Sequence, residues 1–211
     1  MHPLDKAIEL SEISPGCYQA ATSPDYANAV GPFGGVTAAL LLNAALQHPD
    51  RLGEPIAQTV HFAAPVSDGE ITVEASAVRT NRSTQHWLMQ LSQNGQMVAM
   101  ATAVFAVRRK TWFPAHAPTP ESVQPMQWAK RPPFTHCYDL RYFEGVIPSE
   151  LSGEEQTDGH SSLWVRDQPP RPLDFPALAS LCDVFFPRIM IRRQRWSPIG
   201  TVTMTSYFHA D

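Results

Sequence analysis

GGVTAALLLNAALQ, residues 34–47, decides how this chain folds. It is apolar on nearly every face, with Asn43 and Gln47 the main polar exceptions. A surface helix carries one apolar stripe, whereas a helix that is apolar all round is buried on every side. Gly34 and Gly35 open the run without a Cβ, so backbone or ligand can come close there. The segments after it must therefore wrap the helix. In residues 56–64, Ile56, Val60, Phe62 and Ala64 alternate with Ala57, Thr59, His61 and Ala63, a period of two. Residues 71–79 repeat the pattern with Ile71, Val73, Ala75 and Ala77. Segments 83–93 and 97–108 flank Asn94-Gly95, the strongest short hairpin signal. One buried helix followed by four antiparallel strands is an α+β layout.

Composition limits the rest. The 211 residues hold one large domain or two small ones, and 43% hydrophobic content suits a packed core. A net charge of −4 gives no general reason to expect nucleic acid as a partner. No apolar run reaches membrane-spanning length, so no membrane partner is expected. Cys17, Cys137 and Cys182 are far apart, form no CxxC pair, and follow no signal-like opening. A reducing, cytoplasmic location is the simplest expectation. The histidines show no ligand-like spacing, so no metal is expected.

Six of the 20 prolines fall in residues 113–135, which reads as a linker. It divides a unit at 1–112 from one at 136–211. The second unit begins to repeat the first: short strands near 136–147 and 160–167, then a helix from Asp174 as N-cap to about Phe186. Pro176 is tolerated in its first turn and Pro187 ends it. A strand at 200–208 comes next, and the second copy is expected to stop about three strands early.

Gly31-Pro32-Phe33-Gly34-Gly35, the apolar helix, His61-Phe62-Ala63-Ala64-Pro65-Val66, then Arg79, Asn81-Arg82-Ser83 and Gln93-Asn94-Gly95 occur in order. Together they closely resemble the tandem (double) hotdog acyl-CoA thioesterases. Thr80-Asn81 stands where that family has a glycine before Arg-Ser. The resemblance implies a double hotdog, an antiparallel sheet wrapped around a central helix in two tandem copies, the second incomplete. It also implies an acyl-CoA substrate, with coenzyme A present only as part of that substrate and no other cofactor. By the same resemblance Asp183 is the catalytic acid residue near the end of the second helix. Thr201 is its hydroxyl partner on the next strand. The family's glutamine position has no counterpart among these residues.

A carboxylate such as Asp183 can act as general base on water when its surroundings tune its pKa. An acid inside an apolar stretch is otherwise unusual, because unpaired carboxylates seldom bury. Thr201 is as readily explained by the preference of β-branched residues for strands. Gly34 and Gly35, or the Asp174 end, are candidates to meet the oxyanion through helix N-terminal N–H groups. Arg79 and Arg82 are candidate partners for the coenzyme A phosphates. The Arg188, Arg192, Arg193 and Arg195 group reads more readily as a solvated loop. Cys182 reads as a buried small hydrophobe, and His61 and His86 as satisfied polar groups in strands. The alternatives are an acyl-CoA or acyl-carrier binding module that has lost catalysis, or a fragment of a longer protein. Open strand edges in the unfinished copy predict a homo-oligomer.

Overall fold

The computed structural model describes residues 1–111, 124–125, 131–145 and 150–209. The predicted helix is α2, Gly34–Gln47, with the bounds read from sequence. Leu41, Leu42, Ala38, Ala39, Ala44 and Ala45 on it have no exposed surface. Each leucine removed from water contributes about 1.5–3 kcal/mol, and the alanines let neighbouring elements come close.

Four strands come after α2: β3 (Glu54–Phe62), β4 (Glu70–Thr80), β5 (Thr84–Gln93) and β6 (Gln96–Ala106). Asn94 and Gly95 both have positive φ, 52° and 75°, as a two-residue hairpin turn between right-twisted strands requires. Before α2 the chain forms α1 (Pro3–Ala7), β1 (Ser11–Ser14) and β2 (Cys17–Ala21), none of them foreseen. The seven-stranded sheet has the order β1-β2-β4-β5-β6-β3-β10, where β10 is Thr203–Tyr207 from the far end of the chain. Val60, Val73, Met89, Leu91, Ala99 and Ala101 turn inward, each 1% exposed or less, and the sheet packs against α2. Buried Gln58 reaches inward too, its Nε2 donating to the Ala38 carbonyl at 3.0 Å. This is the hotdog arrangement.

The second half begins the same arrangement. A second sheet runs β7-β8-β9, with β7 (Gln124–Pro125), β8 (Tyr138–Glu144) and β9 (Ser162–Asp167). Most of the expected linker lies outside the described residues. Its described parts supply β7 and the start of a 3₁₀ turn, Pro133–Cys137. Then come α3 (Phe175–Leu181), α4 (Arg188–Arg193) and β10. β8, β9, α3 and β10 thus repeat β1, β2, α2 and β3, and nothing described corresponds to β4–β6.

Two boundaries differ from expectation. The helix starting at Asp174 ends at Leu181 rather than Phe186, its end tightened by Asp183 N–H to Ser180 O and Val184 N–H to Leu181 O, both 3.3 Å. Pro187 does not end that helix but caps the start of α4. The Asp174 cap is as predicted: its Oδ1 accepts from the Ala177 N–H at 2.9 Å, and Arg171 ties it to Asp5. Among the described residues, no helix is long and apolar enough to cross a membrane.

Candidate active site

α2 and α3 lie against one another, and the crossing sets the site. At Gly35 a Cβ would strike the Ser180 carbonyl oxygen and the Phe33 ring, so only glycine permits this approach. Ser180 is fully buried on α3, and its hydroxyl hydrogen-bonds that of Tyr138 on β8 at 2.6 Å. Three residues on, just past the end of α3, the chain turns and carries Asp183 back over the start of α2.

There the two halves meet. A Cβ on Gly34 would stand 2.6 Å from Asp183 Oδ2 and 3.3 Å from the Phe62 ring. The Gly35 backbone N–H donates to the Asp183 carboxylate, and the Thr201 hydroxyl donates to its Oδ1 at 3.3 Å. Thr201 itself is exposed and precedes β10 rather than opening it. Burial pushes the Asp183 carboxyl up to about 6, with the bonds from Thr201 and Gly35 pulling the other way. Desolvation outweighs them because it penalises the anion over its whole surface, whereas each bond meets one lone pair. The result is a carboxylate that is mostly ionised at neutral pH yet still basic. It lies at the positive end of the α2 dipole.

The sequence candidates therefore separate. Asp183, Thr201, Gly34 and Gly35 come together. Arg79 and Arg82 do not join them: Arg79 is level with His86, Val104 and Ala57 across the sheet, whereas the site is level with Phe62 at the other end of β3. Strand rise and spacing put the two places roughly 20 Å apart. Arg79 bonds the Asn81 side chain instead, holding the β4–β5 turn.

Arg192 and Arg195 are not a free loop group. Arg192 sits in α4 and binds Glu155 at 3.2 Å and the Thr157 carbonyl, while Arg195 donates to the Gly153 carbonyl at 3.2 Å. Cys182 is exposed, not buried, because it falls at the end of the shortened helix. His61 and His86 are exposed on the outer sheet face. Ser180, Tyr138 and Phe62, which shape the site, were not foreseen. The one available signal was a serine three residues before an aspartate within an otherwise apolar helix.

Comparison with known proteins agrees with this architecture. Residues 22–106 match the acyl-CoA thioesterase N-terminal domain, and residues 114–211 match the acyl-CoA thioesterase C-terminal domain. A conserved hot dog protein of unknown function from Alicyclobacillus acidocaldarius is 43% identical, with a TM-score of 0.91 over all of this chain and 80% of its own. Two more distant structures share the fold. A candidate thioesterase II from Thermobifida fusca has a TM-score of 0.80 at 20% identity, over all of this chain and 81% of its own. The tesB protein of Mycobacterium avium subsp. paratuberculosis has 0.75 at 17% identity, over 98% of this chain and 79% of its own. No protein of curated function matches the sequence. With both domains matched in order on a double hotdog, the chain belongs to the acyl-CoA thioesterase family.

Proposed function

We propose that the chain hydrolyses acyl-CoA thioesters, with Asp183 as the general base and Thr201 as its positioning hydroxyl. The observation that carries this reading is the Asp183 carboxylate, tuned to about 6 and seated at the start of α2 between a hydroxyl and a backbone N–H. Asp183 takes a proton from water as the water oxygen attacks the thioester carbonyl carbon. The resulting oxyanion is met at the positive end of α2 by first-turn N–H groups other than that of Gly35, which donates to Asp183. When the tetrahedral intermediate collapses, the C–S bond breaks, Asp183 returns its proton to the leaving thiolate, and the free acid and coenzyme A depart. Phe62 and Phe33 supply apolar surface beside the first residues of α2.

All three cysteines are free, in keeping with a reducing cytoplasmic setting. The test follows free thiol during incubation with acyl-CoAs of graded chain length. Turnover that disappears in Asp183→Ala supports the reading; no turnover above that variant at any chain length refutes it. The exposure of Thr201 favours one alternative, a module that binds acyl-CoA without hydrolysing it. Binding of a non-hydrolysable thioether analogue with no thioester turnover would select that alternative.

A further inference from the structure

Tyr138, on β8, touches both of the helix ends that meet at Asp183. Its ring lies edge-on to that of Phe33, the N-cap residue of α2, with centroids 6.0 Å apart. Its hydroxyl shares a 2.6 Å hydrogen bond with that of Ser180, near the end of α3. Tyr138 is buried and Ser180 wholly so, and water does not compete for this bond. In such a low-dielectric interior a hydrogen bond is strong, and a lost partner is costly.

Ser180 passes this anchoring to Asp183 through its backbone. Its carbonyl oxygen accepts the Asp183 N–H at 3.3 Å and occupies the place where a Cβ on Gly35 would stand. The Gly35 N–H in turn donates to the Asp183 carboxylate. One carbonyl thus sets both the turn that carries the acid and the distance to the helix that receives it. Burial pushes the Tyr138 hydroxyl well above its ordinary range; the Ser180 bond opposes this, Asp167 opposite on β9 and Cys137 add to it, and Tyr26 opposes it. The phenol therefore stays protonated wherever Asp183 titrates. A change in the titration of Asp183 on altering Tyr138 then reports the placement of the acid, not a lost tyrosinate.

We infer that Tyr138 is a positioning residue for the hydrolysis: through Ser180 it holds the Asp183 carboxylate over the start of α2. The inference rests on Asp183 being the general base.

Three variants of the intact chain test it: Tyr138→Phe, Ser180→Ala and the two combined. Each single change leaves one buried hydroxyl unpaired, so both should melt below wild type. The double variant leaves none unpaired and should regain most of that loss. Catalysis should not follow stability. All three should lose about 10–100-fold in kcat with KM nearly unchanged, because a displaced base costs rate and not binding. The titration midpoint of Asp183, read from its carboxyl carbon-13 resonance, should fall from about 6 toward the ordinary carboxylate range as water reaches the acid. Tyr142→Phe is the control. Tyr142 is fully buried on the same strand, its hydroxyl has no partner among the described residues, and the variant should match wild type in rate and midpoint. Unchanged kcat and midpoint in folded Tyr138→Phe overturn the inference. So does a double variant whose rate returns along with its stability, since that is the signature of packing alone. A wild type without turnover refutes the hydrolysis itself, and the carbon-13 midpoint then still decides whether Tyr138 places Asp183.

Discussion

Replacing Asp183 with asparagine is expected to make the protein more stable and inactive at once. The carboxyl is held at about 6 against an ordinary 3.8, chiefly because burial penalises the anion. Each pH unit between ordinary and perturbed pKa corresponds to about 1.4 kcal/mol, so the charged form costs the folded state at most about 3 kcal/mol. Partial solvent access reduces this to about 1–2 kcal/mol. The folded state binds this proton more tightly than the unfolded chain does. The cost is therefore absent below the ordinary carboxylate range, grows as pH rises through about 4 to 6, and is complete above that. An asparagine side chain there would keep an oxygen for the Thr201 hydroxyl and the Gly35 N–H but would carry no charge. Thermal melting of Asp183→Asn and wild type should coincide near pH 4 and diverge by pH 8, the variant melting about 2–8 °C higher. Thioesterase turnover should fall by about 10²–10⁴-fold, as expected for loss of a general base. A melting difference that is the same at pH 4 and pH 8 would refute the reasoning. An asparagine variant that is the less stable one at pH 8 would refute it equally.

Other expectations concern the same site and its surroundings. The pH profile of kcat/KM should rise through about 6, with activity requiring the ionised carboxylate; a profile flat between pH 5 and 8 would count against Asp183. Thr201→Val removes a bond that favours the anion, so the midpoint of that profile should move upward while kcat falls about tenfold. Gly34→Ala puts a methyl 2.6 Å from Asp183 Oδ2, so kcat should drop with little change in melting temperature if the carboxylate swings away. Asp174→Ala removes the α3 cap and one partner of Arg171, and denaturant titration should register a loss of about 1–2 kcal/mol.

Local chemistry made half of this molecule readable in advance. The helix at 34–47 has no polar face to offer water, and Asn94-Gly95 can hardly be anything but a tight hairpin turn, so both elements were legible from residue type. The first strand was opaque because Ser11–Ser14 is exposed throughout, leaving no alternation to read, and β2 has only the short alternation of Tyr18 and Ala20. The run 175–186 misled for the opposite reason. It is apolar whether helical or extended, and only the turn at Cys182–Asp183 distinguishes the two. Asp183 and Thr201 stood out by chemical type and by family resemblance. Their meeting with Gly34 and Gly35 depends on how closely α2 and α3 cross, a three-dimensional fact. Arg79 and Arg82 were chosen by motif alone, and strand register carries them to the other end of the sheet.

The meeting of Asp183 with the start of α2 also bears on stoichiometry and ancestry. Asp183 lies eight residues after the first residue of α3, and the residue eight after the first of α2 is Leu42, fully buried and apolar. A duplicated ancestor built of two equal units would have had two equivalent seams. In this chain the position on the α3 side carries the acid and the corresponding position on α2 carries packing. One unit contributes the glycines and the other the carboxylate, so on the proposed mechanism two copies of either unit alone would not assemble the site. Active-site titration should accordingly find one reactive centre per polypeptide, however many chains assemble.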